Sequence, residues 1–474
     1  MTASGLDQLV ERLATAVGVG HERLEFAGNP ALESFYPVSA LASASIGVAG
    51  AAAAALSSVL GQADPAVVVD RGLADAWFGL ALRPIGWELP SPWDAIAGDY
   101  RALGVEGANG WIRLHTNAPQ HRAAALRVLG VAAERAAVAD AVASWGAGEL
   151  ESAVVAEGGC AAELRSPSAW AAHPQGAAVA AEPLVHTERT DQVSGDAARS
   201  TWRPTPARPL AGLRVLDLTR VLAGPVATRL LAGLGAEVLR IDPPGWDEPG
   251  IVPEMTLGKR AARLDAREPS GRARLLELLA GADVLVSGYR ADALEQLGLG
   301  EAVRRSIRPG LIDVSLDAYG HTGPWASRRG FDSLVQMSSG IAAAGLEAHI
   351  AEKPTPLPVQ ALDQATGYLV AAAVLTGLAS RSRDGFGVRS RLSLARTAVE
   401  LEVARGLATD AAAPAPDYPR TALSTPWGAA GLLPAPLSIG GVPLSWTLSP
   451  RNLGSDDPLW ESRTDGSPTG VPIL

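Results

Sequence analysis

The stretch "GLRVLDLTRVLAGPVATRLLAGLGAEVLRIDPPG", residues 212–245, decides the fold. A short apolar run, Leu213–Leu218, predicts a buried strand, and Ala236–Asp242 predicts a second. Between them "VATRLLAGLG" carries helical spacing, so the whole reads as the opening unit of a nucleotide-binding α/β sheet. The turn between first strand and helix, Thr219–Pro225, lacks the G-x-G-x-x-G that cradles a pyrophosphate, which disfavours a dinucleotide-dependent oxidoreductase. In this reading Gly224 lets the chain turn tightly and Pro225 starts the helix.

Strand-like and helix-like segments keep alternating beyond this unit. "ADVLVSGY" (282–289) and "GLIDVSLDAY" (310–319) predict strands, while "REPSGRARLLELLAGA" (267–282) and "ADALEQLGLG" (291–300) predict helices. The fold class is therefore α/β, a Rossmann-like parallel sheet with a smaller α+β domain, and such sheets bind ligands at the carboxyl ends of their strands. Composition divides the chain into a helix-rich region, 1–185; a polar linker with three prolines, 186–209; the Rossmann-like core, 210–405; and a Pro/Gly-rich segment, 406–474, expected to be mostly loop. An internal echo is visible: residues 45–80 can be laid over 365–401 as a small-residue helix, a strand and another helix.

The net charge is -10 and the pI about 5.3, which argues against nucleic acid and anionic membranes as partners. The apolar run 46–61 is shorter than the roughly 20 residues of a span and reads as an interior helix. A single cysteine, Cys160, excludes a disulfide framework, reads as a small buried thiol, and fits a cytoplasmic setting. His115 and His121 have neither helix-face nor ligand-pair spacing, so no metal is expected.

Across 210–400 the motifs "GLRVLDLTRVLAGPVATRLLAGLGAEVLRID", "LDAREPSGRARLLELLAGADVLVSGYRADALEQLGLG", "GHTGPWASRRGFDSLVQMSSGIAAAG" and "PLPVQALDQATGY", in that order, resemble the class III CoA-transferase family and the related α-methylacyl-CoA racemases. Segments 91–130 and 157–176 are similar to parts that follow the Rossmann-like half in that family, so the chain looks like a truncated first copy followed by the leading half of a second.

The resemblance implies a CoA-transferase that moves CoA between an acyl-CoA and a carboxylic acid, without a metal, as a homodimer. It places the nucleophile at Asp363 and an aspartyl-CoA thioester on it. From the residues alone, Asp363 is equally an N-cap for the helix beginning near Ala365. The first copy has Ala42 and Ser43 at the matching place, which leaves a single nucleophile per chain. Positions matching the family's CoA site are Leu222, Ala223, Leu264, Asp265, Arg267, Gly288, Tyr289, Arg290, Arg329 and Asp332. Pro243 and Gln296 stand where some relatives carry Arg. The racemases have His immediately before the Asp of this last motif. Here it is Phe331, which cannot move a proton, so racemase or isomerase chemistry is the weaker alternative, alongside a non-catalytic CoA-binding partner subunit.

Overall fold

A computed structural model describes residues 4–62, 64–104, 110–193, 202–245, 247–290, 292–349, 351–407 and 410–461. Its centre is a seven-stranded sheet, in spatial order Arg260–Arg263, Glu237–Asp242, Arg214–Leu218, Val284–Ser287, Ile312–Asp317, Phe386–Ser393 and His186–Gln192. The first six are parallel and the last antiparallel. The central strands are buried almost throughout between helix layers, and the charges they carry there are paired, Asp217 with Lys259 at 3.2 Å and Arg240 with Asp242 at 2.8 Å. The order of connection reverses between Arg214–Leu218 and Val284–Ser287, which makes their carboxyl ends the topological switch point, the place where sheets of this kind bind ligands. The edge strand Arg260–Arg263 is not legible as a strand because Arg residues flank its two alanines.

Three expectations are corrected here. Residues 186–192 lie in the expected linker but form the antiparallel edge strand of the sheet. Their charged side chains carry no apolar alternation and are held instead by ion pairs, Glu188 to Arg391 at 2.8 Å, Arg189 to Asp384 at 2.8 Å and Asp191 to Arg305 at 2.6 Å. The C-terminal segment, expected as loop, supplies strands Thr421–Thr425 and Gly428–Leu432, which extend Leu82–Ile85 into a small sheet. It also sends Trp446 onto Trp77, with centroids 5.3 Å apart. Thirdly, the helix after the first strand begins at Ala223, so Pro225 lies inside the first turn, where a missing N–H costs nothing.

The echo is structural. The helix Val38–Val59, strand Val67–Asp70 and helix Arg71–Phe78 repeat the order of Ala361–Asp384, Phe386–Ser393 and Leu394–Ala404. In both copies the last strand residue caps the following helix: Asp70 accepts from Leu73 N at 2.9 Å and Ser393 from Arg396 N at 3.2 Å. The two long helices pack against each other along small side chains. Each is long and apolar enough to cross a membrane by length and composition, and 94% of each apolar window is buried inside the protein. Residues 96–163 form the smaller α+β unit, an antiparallel sheet of Gly98–Ala102, Gly110–Leu114 and Ala161–Glu163 beneath three helices, with Ile96, Tyr100, Ile112 and Leu150 at its core.

Candidate active site

The strand Arg214–Leu218 delivers Asp217, fully buried, to the base of the Thr219–Leu222 turn. Asp217 accepts the Thr219 N–H at 3.0 Å and the Thr228 hydroxyl, and pairs with Lys259 Nζ at 3.2 Å. Lys259 Nζ also donates to Pro225 O at 2.8 Å and to Thr228 Oγ1 at 2.6 Å. Burial, partly offset by Asp217, brings this ammonium down to about 8. On the other side of the turn Glu248 accepts the Val221 N–H at 3.0 Å and pairs with Arg220 at 2.9 Å.

Among the described residues Val221 is the only non-glycine with positive φ, 65°. A β-branched residue there is strained, and the two flanking carboxylates hold it. Gly224 has a different duty from the expected tight turn. A Cβ on it would lie 2.2 Å from Thr219 Cβ, so glycine lets the helix start pack onto the strand end.

Across the switch point, Gly288 N donates to Leu218 O at 3.2 Å, and a Cβ on Gly288 would stand 3.5 Å from Thr219. Tyr289 follows, its hydroxyl held protonated by burial and by the Asp242 carboxylate. Arg290 bonds Asp292 at 3.0 Å and Gln296 at 2.7 Å, so Gln296 orients this Arg. Leu264 N bonds Asp242 O at 3.1 Å, which brings Leu264 to the same sheet edge. Asp265 and Arg267 form an exposed pair at 2.7 Å in which the guanidinium holds the carboxyl below its ordinary range. Leu222 and Ala223 are nearly covered. Arg329 is exposed, beside Gly158.

Asp363 lies in the first turn of Ala361–Asp384 and is 7% exposed. The helix N-cap, Gln360, makes no capping bond; the cap comes from another helix. Asp332, fully buried in Asp332–Ser338, accepts the Asp363 N–H at 2.9 Å. Its second oxygen accepts from Gln336 Nε2, and Gln336 Oε1 accepts from Leu357 N at 2.8 Å. Burial raises Asp332 to about 6 against the pull of these donors. Asp363 is raised well above the ordinary carboxyl range, by burial and then by the Asp332 charge. One turn along the same helix, a Cβ on Gly367 would lie 2.4 Å from Ala223 O. That close approach sets the Leu222–Ala223 turn beside the helix that bears Asp363.

The first half of the chain closes this site from behind. His115 stacks on Phe331 at 3.7 Å, and Arg113 on the same element draws the Asp332 carboxyl downward. Arg165 N bonds Met337 O at 3.1 Å, and Cys160 and Ala162 pack on Leu334 and Met337. The buried Cys160 thiol is pushed up to about 12, and among the described residues no group of His, Cys, Asp and Glu could hold a metal. Sequence reading missed Gln336, the strained Val221 and the Lys259 brace. Only the four-residue spacing of Asp332 and Gln336 gave a signal for any of them.

A switch point with a fingerprint-free turn, packed beside a helix whose first turn carries a buried aspartate, marks a Rossmann-like domain distinct from the dinucleotide binders. Residues 210–426 match the family model described as CoA-transferase family III. The segment is 36% identical over 211 residues to the Mycobacterium tuberculosis protein named "Probable fatty acyl-CoA transferase Rv3272", covering 42% of this chain and 53% of that one. It is also 36% identical over 198 residues to the succinyl-CoA:glutarate CoA-transferase of Mus musculus, covering 38% of this chain and 44% of that protein. A crystal structure of Rv3272 aligns over 42% of this chain and 57% of that chain, with 35% identity and a TM-score of 0.39. The chain thus spans about half the length of the curated relatives it matches.

Proposed function

We propose that this chain is a CoA-transferase that moves CoA from an acyl-CoA to a carboxylic acid, with Asp363 as nucleophile. The observation that carries the reading is Asp363 itself: a buried carboxylate at a helix start, packed beside the Leu222–Ala223 turn. A carboxylate held high in its range is a stronger nucleophile once ionised, and the helix N-terminus favours developing negative charge there.

In this reading an Asp363 oxygen attacks the acyl-CoA carbonyl. The C–S bond breaks, leaving a mixed anhydride and CoA thiolate. The thiolate attacks the aspartyl carbonyl, the donor leaves as its carboxylate, and an aspartyl-CoA thioester remains. The acceptor carboxylate then attacks that thioester, and the released thiolate attacks the new acyl carbonyl, which regenerates Asp363. The thioester's energy is conserved, so the cycle consumes no ATP.

We assign the CoA site to the Leu222–Ala223 turn, to Gly288–Tyr289–Arg290 and to Leu264, all at carboxyl ends of strands of the central sheet, with Asp265 and Arg267 on the rim. Arg329 is assigned to phosphate, and the homodimer implied by the resemblance and the cytoplasmic setting that fits the single cysteine belong to the same proposal. The test is to incubate the protein with a panel of acyl-CoAs, quench with hydroxylamine and weigh the peptide containing Asp363. A hydroxamate on Asp363 is the expected result; its absence in protein that binds the CoA ester sinks the assignment.

A further inference from the structure

We infer that Asp332 is a positioning residue for this transfer: its carboxylate fixes the first turn of the Asp363 helix, and its charge presses Asp363 toward the neutral, acylated state. The inference rests on the proposed nucleophilic role of Asp363.

The geometry is one of imposed proximity. Asp332 reaches the Asp363 N–H at 2.9 Å and has no freedom to turn away, because Gln336 holds its other oxygen and Leu357 N holds Gln336 at 2.8 Å. Two carboxylates are thus kept together out of water, where like charges repel strongly. When Asp363 attacks, its charge leaves with the CoA thiolate, and when the thiolate returns it leaves with the donor carboxylate. After either step only Asp332 is charged in the pair. The repulsion therefore exists in the ionised site and is absent once the anhydride or thioester bond to Asp363 has formed, which is a difference between states that speeds the step. The N–H cap remains intact in both.

The charged and titratable groups on elements packed against these helices are mostly buried or paired among themselves. Arg113 is a fixed cation, and burial holds His115 at about 3 and His121 at about 4. Glu163 is paired with Arg165 at 3.0 Å, Asp313 with Arg304 at 2.6 Å, Asp317 with His321 at 3.0 Å, and Glu400 with Arg396 at 2.6 Å. Arg229 is bonded to Glu254.

The experiment follows the rate of hydroxamate formation on Asp363 against pH in the full chain, for wild type, Asp332→Asn and Asp332→Ser. Both variants keep an oxygen that can accept the N–H and remove the charge. The expected result is a fall in kcat on the plateau above the acid limb, where Asp363 is ionised in every variant, with an unchanged KM for the acyl-CoA, and an acid limb displaced downward by about one pH unit. Serine serves as the check should the asparagine chain fold poorly. A uniform loss at every pH with the limb unmoved means Asp332 is only structural and overturns the inference while leaving Asp363 as nucleophile. No hydroxamate in the wild type takes down the proposed function and this inference together.

Discussion

Lys259 carries the physics of the Thr219–Pro225 turn in one side chain. Its ammonium is buried and held by Asp217, Pro225 O and Thr228. Removing one partner of a buried pair leaves the other charge uncompensated, so Lys259→Met is expected to cost about 3–5 kcal/mol in urea unfolding. The sign with pH follows from the lowered ammonium. The folded chain releases this proton near pH 8 and the unfolded chain near 10.5, so between the two the unfolded state holds more protons. This group's contribution to stability then rises with pH across that window, and the gap between wild type and Lys259→Met should widen from pH 8 to pH 10. A gap that stays constant would refute a shifted lysine. None of this was legible beforehand: "LGKRAARLD" reads as an exposed basic turn, and only the tertiary fold brings Lys259 under Pro225. Asp363, by contrast, stood out through its motif, while the second carboxylate that caps its helix lies 31 residues away and was assigned to CoA.

At the scale of elements, the site depends on two helices meeting more closely than side chains normally allow. Gly367 faces Ala223 O, where a Cβ would sit at 2.4 Å, against backbone that cannot swing aside. Gly367→Ala should therefore push Ala361–Asp384 away from Ala223–Gly233, costing about 1–3 kcal/mol by overpacking. It should also raise the KM for acyl-CoA, because the Leu222–Ala223 turn moves with the helix. An alanine variant with an unchanged urea midpoint would show that the contact relaxes freely. Glycine inside a helix is normally a liability, so this position was a clue that went unread. The central parallel strands were legible because they are short runs rich in Val, Leu and Ile between helical patterns. The edge strands Arg260–Arg263 and His186–Gln192 were not, since an edge needs only pairing and charge, and neither leaves a hydrophobic period.

At the scale of the whole molecule the two copies complete one another. The strand that follows the first copy, His186–Gln192, closes the sheet of the second. A strand beyond the second, Leu437–Ile439, pairs antiparallel with Val67–Val69 and extends the sheet of the first. The echo between residues 45–80 and 365–401 announced two related halves, yet the exchange of strands was invisible, because each exchanged strand lies in a stretch that composition assigns to linker or loop. Such an exchange makes the stability of each half depend on distant chain. Leu437 is buried against Gly50, so Leu437→Ala should cost about 2–5 kcal/mol through the cavity it leaves. The damage should appear far off in sequence: faster amide exchange in Leu24–Ala27 and Val67–Asp70, with Arg214–Leu218 and Val284–Ser287 still protected. Equal loss of protection in all four strands would mean that the halves unfold as one cooperative unit, and that the exchanged strand supports both sheets together rather than its own.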